Sequence, residues 1–292
     1  MKRCYPVSIS CEVLQVSPSG YFNWLRRQGG GCGVGGRAAA RYSDEALLAH
    51  MRAIHAEVKG EYGWPRMHKE LVARGIRVGK ERVRRLMQRH GIRAKTPRRF
   101  VVTTDSRHSL PVAPDLVQRR FNPEAPNRLW SGDITYIATD EGWLYLAAVI
   151  DLFARQVVGW SLQEHMHTGL VKDALAMAWW RRRPPPGLIF HSDRGSQYCS
   201  HEFQQALREW GMRSSMSRKG NCWDNAPTES FWGRLKTASV HGRKFATREQ
   251  ARQAVLDWVA FYNHRRLHSS LGYLSPMQFE QRWYEAQRKN AA

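Results

Sequence analysis

Three acidic residues lie in short motifs that could support chemistry on a phosphodiester. Asp133 stands in Trp-Ser-Gly-Asp-Ile-Thr, Asp193 in His-Ser-Asp-Arg-Gly-Ser and Glu229 in Asn-Ala-Pro-Thr-Glu-Ser, with thirty-five residues between Asp193 and Glu229. Hard divalent cations take oxygen ligands, and displacement at phosphorus requires stabilised attacking and leaving oxygens. Taken singly, each acid is ordinary, since the aspartates suit turns and the glutamate suits a first helical turn. Together, they would repel one another unless cations lay between them.

The overall charge of the chain indicates a polyanionic partner. Lys and Arg number 46 against 25 Asp and Glu in 292 residues, a formal net charge of +21. Nucleic acid is the favoured partner, and an anionic membrane surface is the alternative. No run approaches the roughly 18–20 apolar residues of a membrane-spanning helix, and the N-terminus does not resemble a signal peptide. The five widely spaced cysteines predict reduced thiols and a cytoplasmic location, against a zinc site built on Cys4, Cys11 and a histidine.

Composition divides the first part of the chain into four segments. We predict an N-terminal helical segment at 1–28, a glycine-rich linker at 29–42, a helix-turn-helix-like domain at 43–92 and a basic, extended linker at 93–125. The rest, 126–285, is predicted to be the catalytic core with its C-terminal helices.

The predicted helix-turn-helix-like domain contains three helices. Ser43 is a good N-cap for the first, the second runs from about Pro65 to Ala73, and the third from about Lys80 to Arg89. The third helix turns Val83, Leu86 and Met87 inward and has a basic opposite face. Such a helix could enter the major groove of DNA, and we expect Lys80, Arg82 and Arg85 to contact it. A merely solvated face is the alternative.

The predicted core mixes strands and helices. Apolar runs rich in β-branched and aromatic residues predict three sequential antiparallel strands, with two more strands later in the chain: 133–138, 143–152, 156–162, 188–191 and 212–216. Helices are predicted at 169–181, 201–210, 227–238 and 247–265. In this arrangement Asp133 begins the first strand, Asp193 ends the fourth, and a helix carries Glu229 alongside.

The motifs resemble those of a known protein family. The spacing of the three acids resembles the DDE recombinases of the retroviral-integrase superfamily. More closely, the chain resembles the second-reading-frame transposases of bacterial insertion sequences of the insertion-sequence-three family, over nearly its whole length. Matching segments include Val16-Ser17-Pro18-Ser19-Gly20-Tyr21, Tyr62-Gly63-Trp64-Pro65-Arg66, Asp133-Ile134-Thr135-Tyr136-Ile137, His191-Ser192-Asp193-Arg194-Gly195-Ser196-Gln197-Tyr198, Asn225-Ala226-Pro227, Glu229-Ser230-Phe231 and Leu271-Gly272-Tyr273.

The resemblance implies a fold and a reaction. The fold would be α/β, a ribonuclease-H-like core with a mixed five-stranded sheet and flanking helices, preceded by the small all-α domain. Asp133, Asp193 and Glu229 would bind two Mg²⁺ ions, for which Mn²⁺ substitutes. Water would cleave a DNA strand and leave a 3′-hydroxyl, which would then attack a second phosphodiester. The implied partners are transposon-end and target DNA, further copies of the chain, and an upstream-frame protein joined by frameshifting.

Further residues are expected to support this site. Lys236 follows Glu229 by two helical turns, and the resemblance gives a basic residue here a role in gripping DNA near the cleaved end. Arg218 and Lys219 are candidate phosphate contacts. Asn225 is expected to cap the helix of Glu229 and so fix its position. Trp232 is favoured as a packing residue over a base-stacking one.

Other chemistries fit the residues less well. His191, Ser192 and Asp193 are hydrolase triad types, but neighbours on a strand point to opposite faces. His264 and His268 could share a metal at helical spacing, although solvated or DNA-facing histidines are favoured. Two other functions stay open: a non-catalytic DNA-binding regulator, which an assay of DNA joining would separate, and a ribonuclease-H-like nuclease, which would cut without joining.

Overall fold

The computed structural model describes residues 7–28, 42–96, 110–218 and 222–291. The chain divides into two compact units, Met1–Arg41 and Tyr42–Ala292. The first contains helices α1 (Val7–Val13) and α2 (Pro18–Gln28). The predicted glycine-rich linker falls almost entirely outside the described residues, and the predicted domain boundaries remain predictions. None of the helices within the described ranges is both long and apolar enough to cross a membrane.

Three helices form the N-terminal part of the second unit, and the predicted helices are confirmed there. They are α3 (Asp44–Glu57), α4 (Trp64–Ala73) and α5 (Lys80–Arg89). The Ser43 side chain caps α3 by accepting a hydrogen bond from the backbone N–H of Ala46. Gly75, with φ at +81°, supplies the left-handed residue that ends α4. The helices share a core of buried side chains: Leu47, Met51, Ile54, Met67, Leu71, Val83, Leu86 and Met87.

A five-stranded mixed sheet forms the centre of the second unit, as predicted. Its strands are β1 (Leu129–Thr139), β2 (Gly142–Asp151), β3 (Gln156–Gln163), β4 (Ile189–Ser192) and β5 (Arg213–Met216). Their spatial order is β3-β2-β1-β4-β5. The first three pair antiparallel, whereas β4 pairs parallel with both β1 and β5.

The prediction that Asp133 begins the first strand is wrong. Strand β1 starts at Leu129, and Asp133 is its fifth residue. The polar Ser131 and the glycine at 132 interrupt the apolar pattern and hide the true start, although Leu129 and Trp130 pair with β4. Gly132 is required by packing, since a Cβ there would lie 2.4 Å from Cζ of Phe190.

Helices cover both faces of the sheet because the strand side chains alternate. From β2, Leu146 and Ile150 enter one core, which α9 (Ala226–Leu235) and α10 (Arg248–His264) complete. From the same strand, Ala147 and Val149 enter the opposite core. That second core is completed by helices on the other face: α6 (Thr168–Arg182), the short α7 (Ser196–Cys199) and α8 (His201–Glu209).

The C-terminal helices depart from the prediction in two respects. The predicted helix at 227–238 is α9 followed by a π-helical turn at Lys236–Val240. A helix that the sequence analysis did not predict, α11 (Pro276–Ala291), ends the described chain. Residues 11 and 199 are free buried cysteines, in keeping with the predicted reduced thiols.

A buried ion pair joins the three-helix part to the core. Glu61 accepts a hydrogen bond from Nε of Arg266 at 2.7 Å and another from the indole N–H of Trp258 at 2.6 Å. The Tyr62 hydroxyl accepts the backbone N–H of Leu267 at 2.9 Å. Since the side chains of Glu61 and Arg266 are only 6% and 3% exposed, this junction is dry and geometrically specific.

Candidate active site

Asp133 lies at the centre of the site with both carboxylate oxygens hydrogen-bonded. The backbone N–H of Ile134 donates to Oδ1 at 2.8 Å, and the indole N–H of Trp232 donates to Oδ2 at 2.9 Å. Burial, and then the neighbouring negative charges of Asp193 and Glu229, raise the pKa of Asp133 to about 8. The carboxyl is therefore held in one orientation among other acids.

Asp193 lies beside Asp133 because of the parallel pairing of β1 with β4. Ser131 pairs with His191, and each aspartate follows its strand partner by two residues. The backbone N–H of Gly195 donates to Oδ1 of Asp193 at 2.9 Å. Both aspartates line one cavity of about 430 Å³ at the end of this strand pair, together with Ile134, Tyr136, Trp143, Tyr145, Met166, Gly195, Ser196 and Gln197.

Glu229 reaches this region from the first turn of α9. Its side chain is half-buried, and burial raises the pKa of Glu229. Its charge contributes to the raised pKa of Asp133, although Glu229 does not line the cavity of the two aspartates. The first turn of a helix favours a negative side chain, which suits a glutamate at this position.

The start of α9 is fixed to β1 by a small polar network. Ser131 Oγ donates to the side-chain oxygen of Asn225 at 3.1 Å and lies 2.7 Å from the hydroxyl of Thr228. Asn225 occupies the N-cap position, but the predicted side-chain capping bond is wrong, because the amide is used by Ser131 instead. Asn225 thus connects the helix of Glu229 to the strand of Asp133.

The donor set suits a hard divalent cation. All three acids offer carboxylate oxygens, the ligands that Mg²⁺ and Mn²⁺ take. In the part of the chain that the structure describes, no three His, Cys, Asp or Glu side chains are grouped closely enough to define a metal centre. The fit therefore rests on the chemistry of the donors and on the shared cavity of Asp133 and Asp193.

Comparison with known proteins identifies the family. An HTH-like domain model matches residues 43–100, and integrase core domain models match residues 123–222 and 210–276. The transposase InsF for insertion sequence IS3A of Escherichia coli (strain K12) is 42% identical over 278 residues, covering 94% of each chain. A 31 kDa protein of the insertion element IS600 of Shigella sonnei is 42% identical over 276 residues, covering 94% of this chain and 98% of its own.

The chain belongs to the InsF transposases of IS3-family insertion sequences. Membership confirms the ribonuclease-H-like integrase core, the helix-turn-helix-like domain and the predicted DDE transposase function. The enzyme is accordingly a polynucleotidyl transferase that acts on DNA.

Solved structures of retroviral integrases are distant neighbours of this transposase. A simian T-cell lymphotropic virus intasome, in complex with PP2A regulatory subunit B56 gamma, has a TM-score of 0.47 and 17% identity and covers 79% of this chain and 74% of its own. The HTLV-2 integrase catalytic core domain in complex with magnesium has a TM-score of 0.44 and 17% identity, covering 55% and 99%.

The predicted DNA contacts near the triad lie in different surroundings. Lys236 begins the π-helical turn, with Nζ 5.1 Å from the ring centroid of Tyr136, and burial lowers the pKa of Lys236. Arg218 donates to the buried carboxylate of Asp224 at 2.9 Å from Nε. Lys219 lies outside the described residues. The phosphate contacts of all three transposase residues remain predictions.

The three α5 side chains that are predicted to contact DNA differ in solvent exposure and in their hydrogen bonds. Lys80 and Arg85 are exposed. Arg82 is only partly exposed and donates to Asp44 and to the backbone oxygen of Tyr42, both at 2.8 Å. Because α5 begins beside the start of α3, an acid at 44 reaches the guanidinium of Arg82. Its role is at least partly to join two helices.

Sequence reasoning missed the hydrogen bond from Trp232 to Asp133. The indole ring is buried, which confirms the packing interpretation, but its N–H is directed at a carboxylate oxygen. A tryptophan three residues after Glu229 was the available signal, since a buried indole N–H requires an acceptor.

The histidine alternatives receive no support. His191 is buried, with Nδ1 2.9 Å from Ser215 Oγ and Nε2 2.9 Å from the backbone oxygen of Asp224, and burial lowers the pKa of His191. The ring therefore links β4 to Ser215 of β5 and to the backbone at Asp224. His264 is the last residue of α10, whereas His268 lies beyond the helix end, so the two do not share a helix face. His268 is half-buried, whereas a solvated or DNA-facing residue was favoured.

Proposed function

We propose that Asp133, Asp193 and Glu229 are the catalytic triad of this transposase and bind two Mg²⁺ ions. The observation that carries the proposal is that Asp133 and Asp193 lie beside each other where the β1–β4 pairing ends. Both side chains line one cavity. The raised pKa of Asp133 supports it, because a carboxyl crowded by two other acids is stabilised as an anion by a cation.

The reaction would exchange one phosphate ester for another. An attacking oxygen, from water or from a DNA 3′-hydroxyl, forms a bond to phosphorus while the opposite oxygen leaves. Bound Mg²⁺ would stabilise the attacking and leaving oxygens. The protein would orient the acids: Ile134 and Trp232 fix Asp133, Gly195 fixes Asp193, and the Ser131 network fixes the start of α9.

The DNA would lie across the basic surfaces around the triad. Lys236, Arg218 and Lys219 would contact backbone phosphates near the scissile bond, and Lys80, Arg82 and Arg85 would contact DNA through α5. We further propose that the transposase acts on transposon ends and target as an oligomer, that an upstream-frame protein is fused to it by frameshifting, and that it works in the cytoplasm on the nucleoid.

The test is replacement of each acid by its amide. In Asp133→Asn, Asp193→Asn and Glu229→Gln, cleavage and joining of labelled DNA should be abolished, while DNA affinity stays within about twofold of wild type. Asp140→Asn, at the exposed turn after β1, is the matched control and should keep activity. Mg²⁺-dependent joining retained by any triad variant would overturn the assignment. Ca²⁺ should bind without supporting chemistry, because it tolerates loose coordination where Mg²⁺ requires octahedral geometry.

A further inference from the structure

A second cleft, lined by basic side chains, lies against α9. Its volume is about 390 Å³, and its walls come from the segments before β1, after β2 and after α10 as well as from α9 itself. Its basic members are Arg119, Arg155, Arg234, Arg266 and His268. It shares no lining residue with the cavity of Asp133 and Asp193.

This cleft and the catalytic site lie on different faces of helix α9. Pro227, Phe231 and Arg234 line the cleft and recur at helical spacing. At about 100° per residue, Arg234 lies roughly 140° around the helix from Glu229. The cleft therefore lies behind the helix that carries the catalytic glutamate, where a bound group would contact the element that positions Glu229.

The positive charges of the cleft are only partly neutralised. Arg266 is paired with Glu61, and Arg119 is paired with Asp224. Arg155 donates to a neutral acceptor, Oδ1 of Asn122, at 2.6 Å. Within the described residues, neither Arg155 nor Arg234 has a carboxylate partner. Two guanidinium groups in one cleft therefore lack an ion-pair partner, and of the described acidic groups only the more distant Glu61 acts on the charge of Arg234.

These two basic side chains line one cleft and are half-buried. Burial and then the charge of Arg266 lower the pKa of Arg234, and burial lowers the pKa of Arg155. Burial, followed by the charge of Arg266, lowers the pKa of His268 to about 2, so this ring is neutral. Half-buried like charges are costly unless a counter-charge joins them, and an anion in the cleft would supply it.

The rim of the cleft is open and polar. Asn122, Ser230 and Ser270 line it and are exposed to solvent. Guanidinium groups match phosphate oxygens in paired hydrogen bonds, and hydroxyl and amide groups at the rim can donate to the same oxygens. The chemistry is that of a phosphate site that a long ligand can reach from outside.

We propose that this cleft is a second DNA-contact site, in which Arg155 and Arg234 bind a backbone phosphate. The proposal rests on DNA being the substrate of the transposase, but it is independent of the assignment of the triad. DNA is favoured over a small anion because the rim is open and the chain carries a net charge of +21. DNA held here would contact α9 opposite Glu229.

The first test is the salt dependence of binding to a short duplex. Each phosphate contact contributes about 0.9 to the slope of log affinity against log salt concentration. Because they share one phosphate, Arg234→Gln and Arg155→Gln should each lower the slope by at most about 0.9, whereas Arg234→Lys, which keeps the charge, should preserve it. Arg208→Gln, an exposed arginine of α8, is the control and should leave the slope unchanged. Unchanged slopes in both glutamine variants would overturn the proposal.

A second measurement separates DNA from a small anion. Inorganic phosphate is titrated against the melting temperature of wild type and Arg234→Gln. If Arg234→Gln loses phosphate-induced stabilisation yet keeps the wild-type DNA slope, the cleft is a small-anion site and the DNA assignment falls. If one of the two glutamine variants fails to melt cooperatively, the salt slope of DNA binding by the other variant decides whether the proposal stands. Failure of the triad would appear differently, as DNA joining by the amide variants with these slopes unaffected.

Discussion

At the scale of single residues, Asp133 is the most constrained group of the site. It accepts from two N–H donors while two other carboxylates act on its charge. The donors favour the ionised form and fix its rotamer, whereas burial and the other acids favour the proton. A metal ligand needs the ionised form in a defined direction, so the donors are as important as the acid itself.

Trp232→Phe should lower the rate of strand joining by about tenfold or more. Phenylalanine fills most of the indole space but removes the hydrogen bond to Oδ2 of Asp133, and a bond to a charged group contributes about 1.5–3 kcal/mol. The measurement is joining rate against Mg²⁺ concentration, where a larger metal requirement is expected. Trp180→Phe, at an exposed tryptophan of α6, is the control. Equal metal dependence in both variants would show that Trp232 only packs.

Lys236→Ala should weaken engagement of the donor DNA end by roughly 1–3 kcal/mol, the size of one charged hydrogen bond. The triad would stay intact, so joining should recover at higher DNA concentration or lower salt. Joining rate is measured against donor-end concentration. Since Lys236 also lies over Tyr136, the melting temperature is measured in parallel. A variant that is inactive at every DNA concentration would assign Lys236 to the fold or the triad.

At the scale of elements, the basic side chains of α5 differ in how far they are already engaged by other parts of the protein. Lys80 and Arg85 are exposed, whereas Arg82 joins α5 to the start of α3. The basic face predicted from periodicity therefore contains exposed side chains as well as a side chain that joins two helices.

Arg85→Gln should weaken DNA binding and lower its salt slope by about 0.9, with an unchanged melting temperature. Arg82→Gln should instead lower the melting temperature, because Asp44 and the Tyr42 carbonyl lose their donor. Anisotropy titrations and thermal melts of both variants give the comparison. Should Arg85→Gln lose stability and keep its affinity, α5 is not the recognition helix.

At the scale of the whole molecule, the three-helix part is fixed to the core by the Glu61–Arg266 junction. The pair is buried and completed by Trp258, while Arg66 donates to the Leu267 carbonyl at 2.8 Å. A junction of this kind makes the two parts move together. DNA contacts made through α5 would then be held in register with the triad.

Glu61→Ala should cost about 3–5 kcal/mol of unfolding free energy, because it leaves Arg266 buried without its partner. Glu57→Ala is the matched control: its pairs with Arg74 and Arg265 are more exposed, and the expected loss is about 1 kcal/mol or less. Urea unfolding of both variants is the measurement. Similar losses would mean that the junction is not a specific link.

The sequence by itself determined the local elements and the chemistry. The capped start of α3 and the apolar stripe of α5 were predicted closely because these signals lie within a few residues of one another. The acids at 133, 193 and 229 were proposed from residue type and motif, and the family was recognised from longer matches. The β1 start was missed because Ser131 and Gly132 break the apolar pattern.

Only the tertiary structure decided which distant groups meet. The parallel pairing that sets Asp133 level with Asp193 joins strands far apart in sequence, and no local pattern encodes its register. The same holds for Trp232 against Asp133, for Glu61 against Arg266, and for the cleft that gathers Arg155 and Arg234. Exposed and buried arginines look alike in sequence, because their state depends on the packing of other segments around them.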